Sequence, residues 1–235
     1  SVGGRVVPIF LMRSESDPLD VSPFLLLVHH QHSFHPLDPF RFLTRLFLPE
    51  GFPAHPHAGF DTVTYTVSGG LRHRDSDALS MSYGDGDVQW MRAGSGIIHE
   101  EMWAPSARRR VELFQLWIDL PSSQKNDAPF CHVIPNTSFP LLHLPDQRLS
   151  VKVLSGECDV MEGESTVTRG PGSDVAASAV GMYHISRHCH KDEVRSGEND
   201  GMTYSFSVEG GNFALFYLRA GELVTSEQEV ILPGD

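Results

Sequence analysis

The chain has 235 residues, 40% of them hydrophobic, which suffices for one large β domain or two of about a hundred residues each. Acidic residues outnumber basic ones by 30 to 18. The resulting net charge of −12 argues against a general nucleic-acid surface, which needs Lys and Arg for phosphate contacts, and leaves room for a protein partner with a basic patch.

Strand signals dominate from the N-terminus onward. The His-rich run His29–His35 (HHQHSFH) is expected to be a solvated loop. His55-Pro56-His57 then precedes an alternating segment, Thr62–Val67, that closes on Gly69-Gly70. Asp87–Met91 follows a Gly-Asp-Gly turn and leads through the Gly-rich Ala93–Gly96 to His99 and Glu101. Val111–Leu120 is apolar on both faces, which predicts a central strand covered on both sides. The polar, Pro-bearing segment Leu120–Phe130 marks a boundary between residues 1–120 and 121–235. Further strands are expected at Ser150–Gly156, Thr203–Gly211 and Phe213–Glu222. Tyr65–Gly70 (YTVSGG) and Phe206–Gly211 (FSVEGG) hint at an internal duplication. No long amphipathic helix is predicted, so the fold class is all-β, an antiparallel sandwich or barrel.

Three scattered cysteines, Cys131, Cys158 and Cys189, make a poor disulfide framework and suit a reducing, intracellular setting, cytoplasm or nucleus. No run approaches the ~18 apolar residues of a membrane span. The chain opens without methionine, so a preceding targeting segment is left open.

Chemistry concentrates in two i, i+2 pairs. Residues two apart on a strand share a face, so His55 and His57 aim together, and so do His99 and Glu101. Pro56 cannot donate a ladder hydrogen bond, which places this segment at an edge or bulge. Two intervening strands and their turns are expected to bring the pairs face to face. Three imidazoles and one carboxylate suit a divalent first-row transition metal, with Zn²⁺ competing with Fe(II) for such a set. Glu100 should point the other way.

Phe52–Ser76 (FPAHPHAGFDTVTYTVSGGLRHRDS) followed by Gly86–Met102 (GDVQWMRAGSGIIHEEM) resembles the signature of the pirin family of bicupin proteins, more loosely continued in Leu113–Lys125 and Val151–Glu157. The resemblance implies two cupin β-barrels packed together, an N-terminal metal-binding one and a C-terminal one, metal-free and incomplete where the chain stops at Ile231–Asp235. It implies His55, His57, His99 and Glu101 as ligands of one metal, Fe(II) first and Zn, Ni, Cu or Mn as alternatives. Two functions follow from it. One is a quercetin 2,3-dioxygenase-type enzyme that takes a flavonol and O₂, with Glu101 as catalytic base; Phe60, Trp90 and Met91, by their proximity to the ligands in sequence, are the candidate lining of its substrate pocket. The other is a non-catalytic nuclear co-regulator that binds a transcription-factor-type protein according to the iron's redox state. In either case a monomer with no direct nucleic-acid or membrane contact is expected. Ala58 and Asp61 stand where the family commonly has Arg and Glu, which predicts a less basic pocket rim.

His188-Cys189-His190 with Glu193 is a weaker candidate metal site, because a partner histidine after the Gly-Asp turn has no place before the chain ends. The run Ala107–Arg110 (ARRR) is expected to be solvated charge.

Overall fold

Val, Thr, Phe and Tyr at alternating positions favour extended backbone, and they set most of the strands. The computed structural model describes residues 3–10, 22–33, 50–104, 110–143, 149–159, 167–178, 180–187, 223–224 and 230–231. Among these, every regular element is a strand apart from two short 3₁₀ turns, Asn136–Ser138 and Pro171–Asp174. No helix of the described residues is long and apolar enough to cross a membrane. The fold is all-β, as expected.

The chain divides into two compact units, Ser1–Leu11 with Ser22–Glu198 and Met12–Val21 with Asn199–Asp235. In the second, the described residues form the short hairpin Leu223–Val224 and Val230–Ile231. The first unit holds the rest. Its strands are β1 Gly3–Phe10, β2 Phe24–Ser33, β3 Gly51–His57, β4 Phe60–Ser68, β5 Gly70–Asp75, β6 Ser80–Gly84, β7 Val88–Arg92, β8 Ile97–Trp103, β9 Arg110–Asp119 and β10 Phe130–Ile134. After these come β11 Leu141–His143, β12 Leu149–Ser155, β13 Glu157–Asp159, β14 Val167–Arg169 and β15 Met182–Arg187.

A six-stranded antiparallel sheet runs β1-β2-β9-β4-β7-β10, and a four-stranded one runs β3-β8-β5-β6. The strand after the Leu120–Phe130 segment, β10, pairs with β7 and so closes one edge of the first sheet. β9 is central, paired with both β2 and β4. The core lies between the two sheets: Leu71 and Tyr83 from the smaller pack on Val111 and Leu113 from the larger. Met91, Ala93 and Ile97 form a second buried cluster with Cys131 against it. Pairs β11-β12-β15 and β13-β14 make smaller sheets.

β4 is buried along almost its whole length because both of its faces are covered. Thr64 turns inward to Glu101. Tyr65, one residue on, points outward, where its hydroxyl and His184 Nδ1 on β15 lie 2.7 Å apart.

The His-rich run is not a loop over its described part. His29, His30 and His32 lie in β2, hydrogen-bonded between β1 and β9. Strand alternation sends His29 to one side, where its ring meets the buried Glu112 carboxylate at 3.1 Å. It sends His30 to the other, among Phe52 and Trp103. Of the basic run, the described Arg110 is exposed to solvent, as expected, and also pairs with Glu112. The expected strands at Thr203–Gly211 and Phe213–Glu222, and the His188–Glu193 cluster, lie outside the described residues.

Candidate metal centre

β3 is an edge strand, where Pro56 is tolerated opposite Ile98, and a register shift between Phe52 and His55 takes in Pro53. Its partner is β8. Four strands, not two, separate them in sequence, yet they lie side by side with His55 opposite His99 and His57 opposite Ile97. The two pairs therefore meet as neighbours on one sheet. The turn into β8 needs Gly94 and Gly96, at φ +49° and +134°, a region L side chains rarely adopt.

The ligand atoms of His55, His57 and His99 all lie within 4.8 Å of one another. His55 and His99 approach most closely, Nε2 to Nε2, at 3.1 Å. His55 Nδ1 lies 2.7 Å from the Pro53 carbonyl. A carbonyl only accepts, so Nδ1 carries the proton and Nε2 presents a lone pair to the cluster. Burial, then the neighbouring His55, lowers the His57 pKa to about 4. Burial, then His55, His57 and His73, lowers that of His99 to about 2. Both rings are neutral at pH 7 and keep lone pairs for a cation. His57 Nε2 is buried with no hydrogen-bond partner, an arrangement that costs on the order of 1–3 kcal/mol unless something else meets the atom. The donor set thus fits a metal of the first transition row or Zn²⁺.

Glu101 shares the inward face of β8 with His99, while Glu100 turns out to an ion pair with Arg74. The Glu101 carboxylate is not among the three clustered ligand atoms. It accepts from the Tyr83 hydroxyl at 2.7 Å, from Gln115 Nε2 at 3.0 Å and, weakly, from Thr64 at 3.4 Å. Burial, then Glu101, raises the Tyr83 pKa well above its ordinary value, so that phenol stays a donor. Trp117 Nε1 donates to Gln115 Oε1 at 3.1 Å, which leaves the Gln115 NH₂ facing Glu101. A carboxylate offers about four acceptor sites, and three are taken.

Above the histidines opens a cavity of about 770 Å³, walled by Phe60, Trp117, Ile97, Ile98, Pro56 and Ala58. Phe60 and Trp117 stack at 4.8 Å, and the Trp117 ring stands edge-on to His57. Of the predicted pocket residues, Phe60 lines this cavity and Trp90 and Met91 do not. Met91 packs into the core. Trp90 points to the opposite side of β7, where its Nε1 donates to Asp61 at 2.9 Å. Asp61 is likewise buried away from the rim and is clamped by Arg92.

His73 and Asp75 on β5, Tyr83 on β6, and Gln115 and Trp117 on β9 were not singled out by sequence. Only His73-x-Asp75 carried a signal, the same i, i+2 spacing as the other two pairs.

Residues 12–118 match the protein-family model for Pirin. A pirin-like protein of Caulobacter vibrioides is 41% identical over 130 residues, covering 55% of this chain and 44% of its own length. Pirin-like protein 2 of Arabidopsis thaliana is 41% identical over 154 residues, covering 66% of this chain and 41% of its own. Among solved structures, quercetin 2,3-dioxygenase from Acinetobacter baumannii superimposes with a TM-score of 0.52 at 33% identity, over 62% of this chain and 49% of that one. The chain spans about half the length of the curated relatives it matches.

Proposed function

The chain belongs to the pirin family of cupin-fold proteins, and on that premise we propose that it is a metal-dependent oxygenase of the quercetin 2,3-dioxygenase type, acting on flavonol-like planar phenols. One observation carries this reading: three imidazoles, one with an orphaned buried nitrogen, converge beside an apolar cavity of about 770 Å³ that His55 and His57 line, room enough for a flat aromatic molecule.

In this reading His55, His57 and His99 hold the metal, with Glu101 as the fourth ligand, and Fe(II) is the native ion. A bound divalent metal supplies a Lewis-acidic position that favours the ionised form of a hydroxyl placed on it. The residues around it do the rest. Phe60 and Trp117 offer their ring faces to the substrate, and Ile97 and Ile98 exclude water from the reacting centre. Glu101 takes the proton from the substrate's 3-hydroxyl. It is held for this as an acceptor by Tyr83 and Gln115, and the long 3.4 Å contact from Thr64 leaves the carboxylate room for both roles.

The test is direct. Purified chain loaded anaerobically with Fe(II), then given O₂ and quercetin, should consume O₂ and bleach the flavonol, and Glu101→Ala should abolish both. A chain that binds one Fe(II) per molecule and leaves quercetin and O₂ untouched would overturn the enzyme reading, and the redox-dependent co-regulator would then take its place.

A further inference from the structure

Behind His99, on the side away from the cavity, lies a second histidine and then a carboxylate. His73 Nδ1 is 3.4 Å from His99 Nδ1, and His73 Nε2 is 3.0 Å from Asp75 Oδ2. Both side chains are sealed from solvent, His73 at 0% exposure and Asp75 at 1%. β5 pairs with β8 so that Asp75 stands opposite His99 and His73 opposite Glu101. We propose that Asp75 and His73 are positioning residues that fix the proton on His99 Nδ1 and so make Nε2 its metal-ligating atom. The inference rests on the metal site proposed above.

The logic is one of donors and acceptors. Asp75 accepts at Oδ2, so His73 Nε2 carries a proton and donates. With its proton turned to Asp75 on Nε2, His73 presents Nδ1 to His99 as an acceptor. The His99 nitrogen facing it must be the donor, N–H at Nδ1, and His99 Nε2 is left with a lone pair. His55 reaches the same state from the other side, through the Pro53 carbonyl. Two lone pairs therefore face each other across 3.1 Å with no proton between them. That contact is repulsive as it stands and becomes attractive when a cation is shared. Metal-bound histidines commonly donate their far N–H to a carboxylate or carbonyl; here a second imidazole is interposed and relays the carboxylate's charge. Asp75 is itself held in place, because its other oxygen, Oδ1, accepts from the backbone N–H of Asp77 and of Leu79.

The variant that tests the relay is Asp75→Asn. Its Oδ1 can keep the turn, while its NH₂ can donate to His73 Nε2. His73 would then donate from Nδ1, and His99 would be driven to the Nε2–H tautomer, which cannot ligate. Two measurements on the full chain decide the matter. In the metal-free wild type labelled with ¹⁵N-histidine, two-bond ¹H–¹⁵N correlation should show His99 protonated at Nδ1, and in Asp75→Asn at Nε2. Zn²⁺ titration by calorimetry should show affinity lowered about 10- to 100-fold in Asp75→Asn and in His73→Phe. His57→Ala serves as the control for the site itself. If it binds Zn²⁺ like wild type, the metal-site reading fails. If it loses binding while Asp75→Asn and His73→Phe bind like wild type, or if wild-type His99 is protonated at Nε2, the relay is overturned and the site stands.

Discussion

His55 and His99 face each other across the β3–β8 pair with their Nε2 atoms 3.1 Å apart, on strands separated in the chain by four others. Such a contact predicts strong linkage between metal binding and stability. A ligand at 100 times its Kd raises folding stability by about 2.7 kcal/mol. Zn²⁺ or Ni²⁺ added to the metal-free chain should therefore raise the thermal midpoint by several degrees, and EDTA should reverse the rise. In His55→Ala and His99→Ala the rise should vanish. An equal rise in the variants would mean that the ion binds elsewhere.

The Trp117 indole is both a cavity wall and the group that orients Gln115 towards Glu101. Trp117→Phe keeps the ring and removes the N–H, so Gln115 loses the bond that holds its amide in one orientation. A hydrogen bond to a charged group contributes about 1.5–3 kcal/mol, so kcat/KM on quercetin should fall at least about tenfold. Metal content should not change. Steady-state rates beside metal analysis on the same samples check this; wild-type rates in Trp117→Phe would remove Gln115 from the proposed mechanism.

Asp61 accepts from Trp90 Nε1 and from Arg92, which reaches on to the Val175 carbonyl. Asp61→Ala strands a largely buried guanidinium and an indole N–H, a change that costs about 3 kcal/mol. Because Asp61 faces away from the cavity, Zn²⁺ stoichiometry should stay at the wild-type value while the urea midpoint drops. Loss of metal at an unchanged midpoint would place Asp61 at the rim after all.

Much of this was legible in the sequence. Alternation marked β4 and the central β9, and the His-x-His and His-x-Glu spacings marked the residues that converge. What alternation cannot supply is facing where both sides are buried. Val88, Gln89, Trp90 and Met91 are all covered, so polarity does not distinguish the side of β7 that meets the core from the side on which the Pro171–Asp174 turn packs. A Cβ on Gly172 would come within 3.1 Å of the Trp90 ring, which shows how closely that outer side is sealed. Proximity to the ligands in sequence therefore misplaced Trp90, whereas Trp117, far along the chain, reaches the cavity through sheet pairing alone. His29 and His30 were similarly opaque, since a histidine run reads as polar until a neighbouring strand and an aromatic cluster bury it.

Gly94 and Gly96 both precede His99, but they differ in what a side chain would meet. A Cβ at Gly94 would fall 2.2 Å from the Asp127 carbonyl oxygen, which belongs to backbone and cannot yield cheaply. At Gly96 the nearest atom is the His57 carbonyl oxygen at 3.9 Å, so only the positive φ opposes substitution. Gly96→Ala should cost about 1–2 kcal/mol and Gly94→Ala more than that, with loss of metal binding in the latter. Chemical denaturation of both variants tests the order; equal, small losses would show that the Gly94 turn can open without harm.

His30 gives the pH dependence its sign. Its ring lies among Phe52, Trp103 and His32, and neither nitrogen has a hydrogen-bond partner. Burial first, then the charges of His32 and His29, lowers its pKa from 6.5 to about 4. Above pH 6.5 the ring is neutral in both folded and unfolded chains and its contribution is fully present. Between pH 6.5 and 4 the unfolded chain takes up a proton that the folded one refuses. Stability then falls with falling pH, by up to about 1.4 kcal/mol per unit for this one proton. His57 and His99 add to the same loss in the metal-free chain, so the comparison must be between variants. His30→Phe keeps an aromatic ring in the cluster and cannot titrate. Urea unfolding at pH 7, 5.5 and 4.5 should show a shallower decline for His30→Phe than for wild type, and parallel curves would mean that His30 takes up its proton without opening the fold.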